Sequence, residues 1–298
     1  MTGETEAAEQ KPLVPGLYLV ATPIGNLEDI TLRALRVLRS ADRIACEDTR
    51  QTRKLLNHFE IDTPVLSLHE HNEAARAAEL VTELRGGARL AVVSDAGMPG
   101  ISDPGSLLVK AAIDAGVDVG PVPGANAALS ALIASGLNTD EFLFLGFLAP
   151  KASARRTRLQ SVAASLREPL TLVLYEAPHR ILETLADVES VFGPECRVVL
   201  ARELTKLHEE FLRGTVSEVR AQLVERDRVR GEMVLLIEAQ PQAEGQERPA
   251  TLRERVDELA RSEGFNEKDA LKRIAKERGV SKSELYRELQ LERGRKRI

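Results

Sequence analysis

Short apolar runs alternate with amphipathic stretches through the first half of this 298-residue chain, and few folds accommodate that alternation. Residues 17–21, 43–47, 65–68, 90–94 and 117–122 read as strands. Between and after them, helical spacing covers 31–39, a segment through Leu55 and Leu56, 72–85, 106–115 and 125–134. Asp29 stands where it can cap the first of these helices, Gly86 and Gly87 close the third, and Gly136 stops the last. Such a βαβα rhythm predicts a largely parallel sheet with helices on both faces. The second half predicts strands at 142–148, 170–175, 197–201, 209–214 and 231–238, with helices at 153–166, 179–191 and 217–224. Its last strands follow one another closely, so antiparallel pairing and a mixed sheet are expected.

Most strands end at a turn of small or charged residues: ATPIGNLEDIT (21–31), ACEDTR (45–50), SDAGMPGISDPG (94–105), PVPGANAA (121–128), YEAPHR (175–180) and ARELTK (201–206). Strand C-termini of an open α/β sheet share one edge, and ligands bind there. The turns thus predict one site built by many loops.

Residues 1–14 are polar and acidic, without a signal-peptide core, and read as a disordered tail. QPQAEGQERP (240–249) marks a linker. The predicted division is 15–137, 138–240, a linker at 241–250 and an appendage at 251–298. In the appendage, helices are expected at 252–262, 266–279 with Asn266 as cap, and 281–291 with Ser281 as cap and Glu284 in capping-box position. The turn Gly279-Val280-Ser281 makes the last two a helix-turn-helix pattern.

Composition excludes several functions. No apolar run approaches a membrane span. Aromatics are 3% and Trp is absent, which disfavours base-stacking platforms. Cys46 and Cys196 stand far apart, so neither a disulfide framework nor a zinc site is expected, and a reducing cytoplasm fits. Neither GxGxxG nor GxxxxGK[ST] occurs, against dinucleotide and P-loop sites. Net charge is −5 but uneven. Residues 251–298 hold 14 Lys and Arg against 10 Asp and Glu, a balance of +4, whereas the preceding 250 carry 27 and 36, a balance of −9. A basic appendage on an acidic body fits a nucleic-acid partner, or equally a solvated helical face.

The ionisable groups at strand ends give the candidate chemistry. Glu47-Asp48-Thr49-Arg50 and His69-Glu70-His71-Asn72-Glu73 are candidate acid–base clusters, because a hydroxyl is a poor nucleophile until a base takes its proton. The i,i+2 histidines lack HExxH spacing and a third ligand, so no metal is expected. Gly25 lets backbone approach a ligand. Asp95 can accept bonds from a ligand, and Asp103 can do the same or cap the helix near Ser106. Lys151, Arg155, Arg156 and Arg158 suit phosphate contacts. Arg180 and Arg202 suit a phosphate or an internal carboxylate.

Taken together, TPIGNLEDITLRAL (22–35), EDTR (47–50), HEHNE (69–73), SDAG…ISDPG (94–105), YEAPHR and ARELTK resemble the bacterial small-subunit rRNA (cytidine-2′-O)-methyltransferase family, a branch of the tetrapyrrole methylase fold. The resemblance covers residues 17 to about 239. It implies two α/β domains with S-adenosyl-L-methionine in the cleft between them, a homodimer, and a small C-terminal helical domain. Ile24, Gly25, Asp95, Ala96, Gly97, Met98, Ala125, Asn126, Ala127, Tyr175 and Ala201 would then line the cofactor site. EDTR and HEHNE would face the ribose, with Glu47, Asp48 or His71 as base and Arg50 orienting the phosphodiester. Lys206, Lys272 and Arg273 join the basic residues above as RNA contacts. The implied substrate is a cytidine 2′-hydroxyl in the decoding region of 16S rRNA within the 30S subunit. Met98 stands where Thr is more usual, Asn126 where Ser is, and GFLAPKA (146–152) loosens the usual basic run. Two other readings compete: a sister enzyme that methylates a porphyrin-like ring or a modified histidine, and a transcription regulator using the helix-turn-helix.

Overall fold

A computed structural model describes residues 12–69, 72–241, 252–262 and 265–278, with 281, 283, 285–287 and 289. The first sheet takes β1 (Gly16–Val20), β2 (Arg43–Cys46), β3 (Val65–Ser67), β4 (Arg89–Val93) and β5 (Val119–Val122). All its pairs are parallel, in the order β3-β2-β4-β1-β5. The strands are nearly continuous apolar runs because helices cover both faces. On one face α1 (Leu32–Ser40) and α2 (Thr49–His58) bury Val37, Leu38 and Leu56 against Ile44 and Ala91. On the other, α3 (Glu73–Arg85) and α4 (Ser106–Asp114) bury Leu80 and Leu108 against Leu17 and Leu90. Each such side chain contributes roughly 1.5–3 kcal/mol on burial.

α5 (Ala127–Ser135) follows β5 but packs on the second sheet, with Ala128, Ala131 and Leu132 against Val173, Val199, Val234 and Leu236. That sheet comprises β6 (Phe142–Phe147), β7 (Leu170–Glu176), β8 (Arg197–Arg202), β9 (Glu210–Thr215) and β10 (Met233–Ala239), in the order β6-β7-β10-β8-β9. Only β6 and β7 run parallel; the other neighbours are antiparallel, so the sheet is mixed. Its far face carries α6 (Ala152–Ser165), α7 (Ile181–Phe192) and α8 (Val216–Val224) over a core that includes Leu159, Leu185 and Val219.

Two caps differ from the sequence expectation. Thr31, not Asp29, caps α1, its hydroxyl accepting from Ala34 N at 3.0 Å, because Asp29 is drawn into a 3-10 turn over Leu27–Asp29. Asp103 does not cap α4. The buried carboxylate of Glu73 does so from a neighbouring helix, as one oxygen accepts from the N–H groups of Gly105, Leu107 and Leu108 at 3.0, 2.8 and 3.1 Å. The side chain of Glu73 thereby replaces the acceptors that a helix start lacks.

Residues up to Pro241 form one compact unit and those beyond it a second. The second unit holds α9 (Leu252–Ser262) and α10 (Glu267–Arg278), with Leu252, Val256, Leu259, Leu271 and Ile274 in its core beside Leu285 and Leu289. Asn266 accepts from Asp269 N at 3.0 Å at the start of α10. The 240–249 segment beyond Pro241, the Gly279-Val280 turn and, from the expected 281–291 helix, residues 282, 284 (the capping-box Glu284), 288, 290 and 291 lie outside the described residues. No described helix is long and apolar enough to cross a membrane.

Candidate active site

Three loops leave the C-terminal edge of the parallel sheet together. The chain crosses from β1 to β2, continues to β3, then returns through β4 to lie between β2 and β1. The loops after β1 and β4 are thus neighbours at the point where strand order reverses. They are stitched by a two-way backbone bridge, Thr22 N to Gly97 O at 2.9 Å and Gly97 N to Thr22 O at 3.1 Å. The Thr22 hydroxyl adds a bond to Ser94 O at 3.2 Å. Gly97 takes φ +80°, where a Cβ would also press on Ile24 at 3.3 Å. The third loop opens α5, whose cap Asn126 accepts from Leu129 N at 2.9 Å. It must be glycine at 124, because a Cβ there would stand 2.8 Å from that of Ala21.

The second sheet supplies the opposite wall. β10 is antiparallel to both β7 and β8, so its start lies beside their ends. Tyr175, Val234 and Ala201 occupy one rung and share one face. The Tyr175 ring packs edge-on against Phe144, with centroids 5.1 Å apart. The YEAPHR turn is pinned by Glu176, which is 3% exposed. Its carboxylate accepts from Ala177 N at 2.8 Å, Arg180 Nε at 2.9 Å and the Thr184 hydroxyl at 2.6 Å.

These loops enclose a cavity of about 350 Å³, within the size range of small-molecule sites. Small residues (Ala96, Gly97, Ala127, Ala177, Ala201) and apolar ones (Ile24, Met98, Phe147, Leu204, Val234) make most of its wall. Its charged lining residues, among those described, are all acidic: Asp95, Asp103, Glu176 and Glu232. The Asp103 carboxyl is pushed up to about 6, by burial first and then by the neighbouring Glu47 charge; the Ser94 hydroxyl draws it back, and Asp95 adds a smaller push upward. Burial likewise raises the Tyr175 phenol.

Of the residues expected at the cofactor, Ile24, Asp95, Ala96, Gly97, Met98, Asn126, Ala127, Tyr175 and Ala201 border the cavity. Gly25 and Ala125 do not. Gly25 makes room for Lys206, since a Cβ there would fall 2.5 Å from Lys206 Cγ. Asp48 and Arg50 lie off the cavity and bind each other, Arg50 Nε and Nη2 reaching the carboxylate at 3.1 and 2.8 Å. That guanidinium holds the Asp48 carboxyl down at about 2. The loop still touches the site, because Asp48 N donates to Asp95 Oδ1 at 3.2 Å. Glu47 is exposed, close enough to Asp103 to act on it electrostatically. Glu70 and His71 lie outside the described residues. The described part of HEHNE builds structure: Asn72 Oδ1 accepts from His69 N at 2.8 Å, and Glu73 caps α4.

The expected phosphate contacts divide. Arg155 is fully buried and donates to Asp187 at 2.6 Å, so an RNA role is corrected to a structural one. Arg180 is held by Glu176, Arg202 by Glu210 at 2.9 Å, and Lys206 by Glu203 and Glu232, both at 2.9 Å. These cations are committed to neighbouring carboxylates. Lys151, Arg156 and Arg158 are exposed around α6, and Lys272 and Arg273 on α10. Arg156 also reaches Asp187 at 3.2 Å.

The expected set leaves out Ile101, Ser102, Phe147, Glu176, Ala177, Pro178, Leu204 and the 232–234 stretch of the lining. Ile101 and Ser102 sit inside a quoted motif and were legible. Residues 232–234 reach the site through antiparallel register alone, which no local signal announces.

The tetrapyrrole (corrin/porphyrin) methylase family matches residues 16–220. The chain is 47% identical over 275 residues to ribosomal RNA small subunit methyltransferase I of Halalkalibacterium halodurans, covering 91% of this chain and 93% of that one. It is 47% identical over 273 residues to the protein of the same name from Synechocystis, covering 91% and 95%. Its fold is also that of a uroporphyrin-III C-methyltransferase from Thermus thermophilus complexed with S-adenyl homocysteine, with a TM-score of 0.54, 19% identity, and coverage of 75% of this chain and 97% of the other. The two-sheet architecture, the loop-built cleft and these identities lead to one assignment: the chain belongs to the tetrapyrrole methylase family, within its ribosomal RNA small subunit methyltransferase I group.

Proposed function

We propose that this chain transfers a methyl group from S-adenosyl-L-methionine to the 2′-hydroxyl of a cytidine in the decoding region of 16S rRNA. In this reading it acts on the 30S subunit, in the cytoplasm, as a homodimer whose protomers divide into 15–137, 138–240 and an appendage at 251–298. The observation that carries the reading is the acidic, small-residue cleft itself, in a chain 47% identical to enzymes named for small-subunit rRNA. A cleft lined by carboxylates and, among the described residues, by no cation favours a cationic ligand over a phosphate-bearing one. Alanine and glycine walls admit a flat group closely, and the apolar wall excludes water. The residues present therefore fit a sulfonium nucleoside.

When bound, that cofactor supplies an electrophilic methyl on a positively charged sulfur. The protein's part is alignment, because in-line displacement demands that acceptor oxygen, methyl and sulfur be held collinear. The loops after β1, β4 and β5 and the Tyr175–Val234–Ala201 rung would hold the donor. Exposed Lys151, Arg156 and Arg158 would take phosphates of the RNA strand, and Lys272 and Arg273 would add a second anchor. Ile133 and Leu207, 79% and 93% exposed, support association between copies.

Calorimetry with S-adenosyl-L-methionine, and transfer of labelled methyl to naked 16S rRNA, 30S subunits and duplex DNA, test the proposal. Label on a cytidine ribose of the RNA or subunit is expected. Label on neither, or no heat from the donor, refutes it. Label or tight binding on duplex DNA alone would favour the regulator reading.

A further inference from the structure

The two helical faces of the first sheet differ in charge. α1 and α2, which share one face, carry Arg33, Arg36, Arg39, Arg50, Arg53 and Lys54 and no Asp or Glu. α3 and α4 on the other face mix both signs. Residues 1–250 as a whole have a balance of −9, so the basic face is a local feature that runs against the composition.

Helical spacing sorts these cations. Arg50, Arg53, Lys54 and Asn57 stand at i, i+3, i+4 and i+7, and all four are exposed, which makes one stripe along α2. Thr52 and Leu56 are buried on its opposite side. Arg39 of α1 extends the stripe at its far end, where its guanidinium donates to Phe59 O, the C-cap of α2, at 2.8 Å. From Arg50 to Phe59 the helix rises roughly 14 Å. Arg33 does not join the stripe, since it donates to Pro121 O at the β5 edge. Within the stripe Arg50 has a carboxylate partner, Asp48 at 2.8 Å. Among the described residues no carboxylate pairs with Arg39, Arg53 or Lys54, and Lys54 donates only to the Gln51 amide oxygen, at 2.9 Å. This differs from Arg155, Arg180, Arg202 and Lys206, which neighbouring acids neutralise.

The stripe starts at the cleft. Asp48 caps α2, and its own N–H donates to Asp95 Oδ1 at the cavity wall at 3.2 Å. Arg53 is close enough to Cys46, the last residue of β2, to act on it electrostatically. The cavity itself is lined by carboxylates, which repel a polyanion. A strand that brings its ribose there needs cations alongside, and α2 supplies them within about two helical turns of the Asp48–Asp95 bond.

We propose that the exposed stripe of α2, continued by Arg39, holds the phosphodiester backbone of the acceptor RNA beside the cleft, an inference that rests on the function proposed above. The stripe has no aromatic side chain, so it tracks backbone and does not read bases.

Binding of naked 16S rRNA and of 30S subunits over about 50–200 mM salt tests this. Each lost contact to a single-stranded phosphate shallows the slope of log affinity against log salt by about 0.7, so Arg53→Gln combined with Lys54→Gln should shallow it by about 1.4. The pair should raise KM for RNA by about tenfold and hold kcat within about threefold, with S-adenosyl-L-methionine affinity and Tm unchanged because both side chains are exposed. Arg53→Lys retains the charge and should retain the slope. Arg85→Gln combined with Lys110→Gln removes the same charge from exposed sites on the opposite face and should alter neither slope nor KM. An unchanged slope in the α2 variant, or an equal loss in the opposite-face control, overturns the inference. So does weakened binding to subunits with naked rRNA bound as by wild type, which would assign the face to a ribosomal protein. Wild-type protein that labels no rRNA refutes the proposed function itself, a separate outcome.

Discussion

Replacing Glu73 tests whether the HEHNE motif works through architecture. One of its oxygens accepts three N–H groups at 3.0, 2.8 and 3.1 Å, and the residue is 4% exposed. In Glu73→Ala those donors lose their acceptor. A buried donor left unsatisfied costs roughly 1–3 kcal/mol. Water entering the vacated space recovers part of this, so the loss should be about 3–5 kcal/mol. For a unit of this size, each kcal/mol lowers Tm by roughly 2–4 °C, giving a drop on the order of 10 °C. Glu73→Gln keeps an acceptor and loses only charge at a helix N-terminus, about 1 kcal/mol. Donor affinity should follow stability, because the loop that α4 anchors supplies Asp95 through Met98 and Asp103 to the cavity. Thermal unfolding and donor calorimetry on the two variants give the comparison. If alanine proves no worse than glutamine in either assay, or if alanine abolishes turnover while leaving Tm and donor affinity untouched, the capping argument fails and a direct catalytic role for Glu73 replaces it.

Three further outcomes follow from the geometry. Asp187→Ala removes the shortest partner of the Arg155 guanidinium, whose side chain is 1% exposed, and leaves it the longer contacts to Glu183 and Pro150 O; the loss should stay below the roughly 3–5 kcal/mol of a fully broken buried pair by urea unfolding, and an Arg155→Met, Asp187→Leu pair should recover most of it. Gly124→Ala forces a Cβ to 2.8 Å from that of Ala21 and should cost about 1–3 kcal/mol with weakened donor binding, both read by calorimetry. The Glu210 carboxyl is held at about 2 by Arg226 and Arg202, below its ordinary 4.5. A depressed carboxylate stabilises above its unfolded pKa and loses that contribution as pH falls through the folded one, so the urea midpoint should decline between about pH 4.5 and about pH 2, and Glu210→Gln should blunt the decline.

The alternation of strands and helices was legible because each element carries its own period. Short apolar runs became buried parallel strands, and glycine at 136, with φ +79°, ended α5 where the sequence places a stop. Elements were less legible where long-range contacts decided the outcome. Asp29 and Asp103 are both sound caps by local chemistry, yet Thr31 lies nearer the helix start and Glu73 reaches in from another helix. A basic run such as KASARRTR shows no sign of which cation turns inward. Burial of Arg155 depends on Asp187, which α7 carries 32 residues later in the chain. Glu232, Met233 and Val234 entered the cavity wall because β10 runs against β7 and β8, a fact of register and not of composition.

The packing of α5 explains how two sheets can present one preorganised cleft. Its N-terminus, Asn126 and Ala127, lines the cavity just after β5 of the first sheet. Its apolar face is nevertheless buried on the second sheet. At its C-terminus Arg213 of β9 donates to Ala134 O at 2.7 Å and Ser135 O at 3.2 Å, a cation placed on the carbonyl end of the helix dipole. A shift between the sheets would have to break these contacts or bend the short turn at Gly124. Between the loops after β1 and β8, Lys206 packs into the space left by Gly25 while paired with Glu203 and Glu232. The two sheets are thus tied through α5 and through the Gly25–Lys206 contact. For a displacement whose rate depends on alignment, such ties lower the ordering that donor binding itself must accomplish.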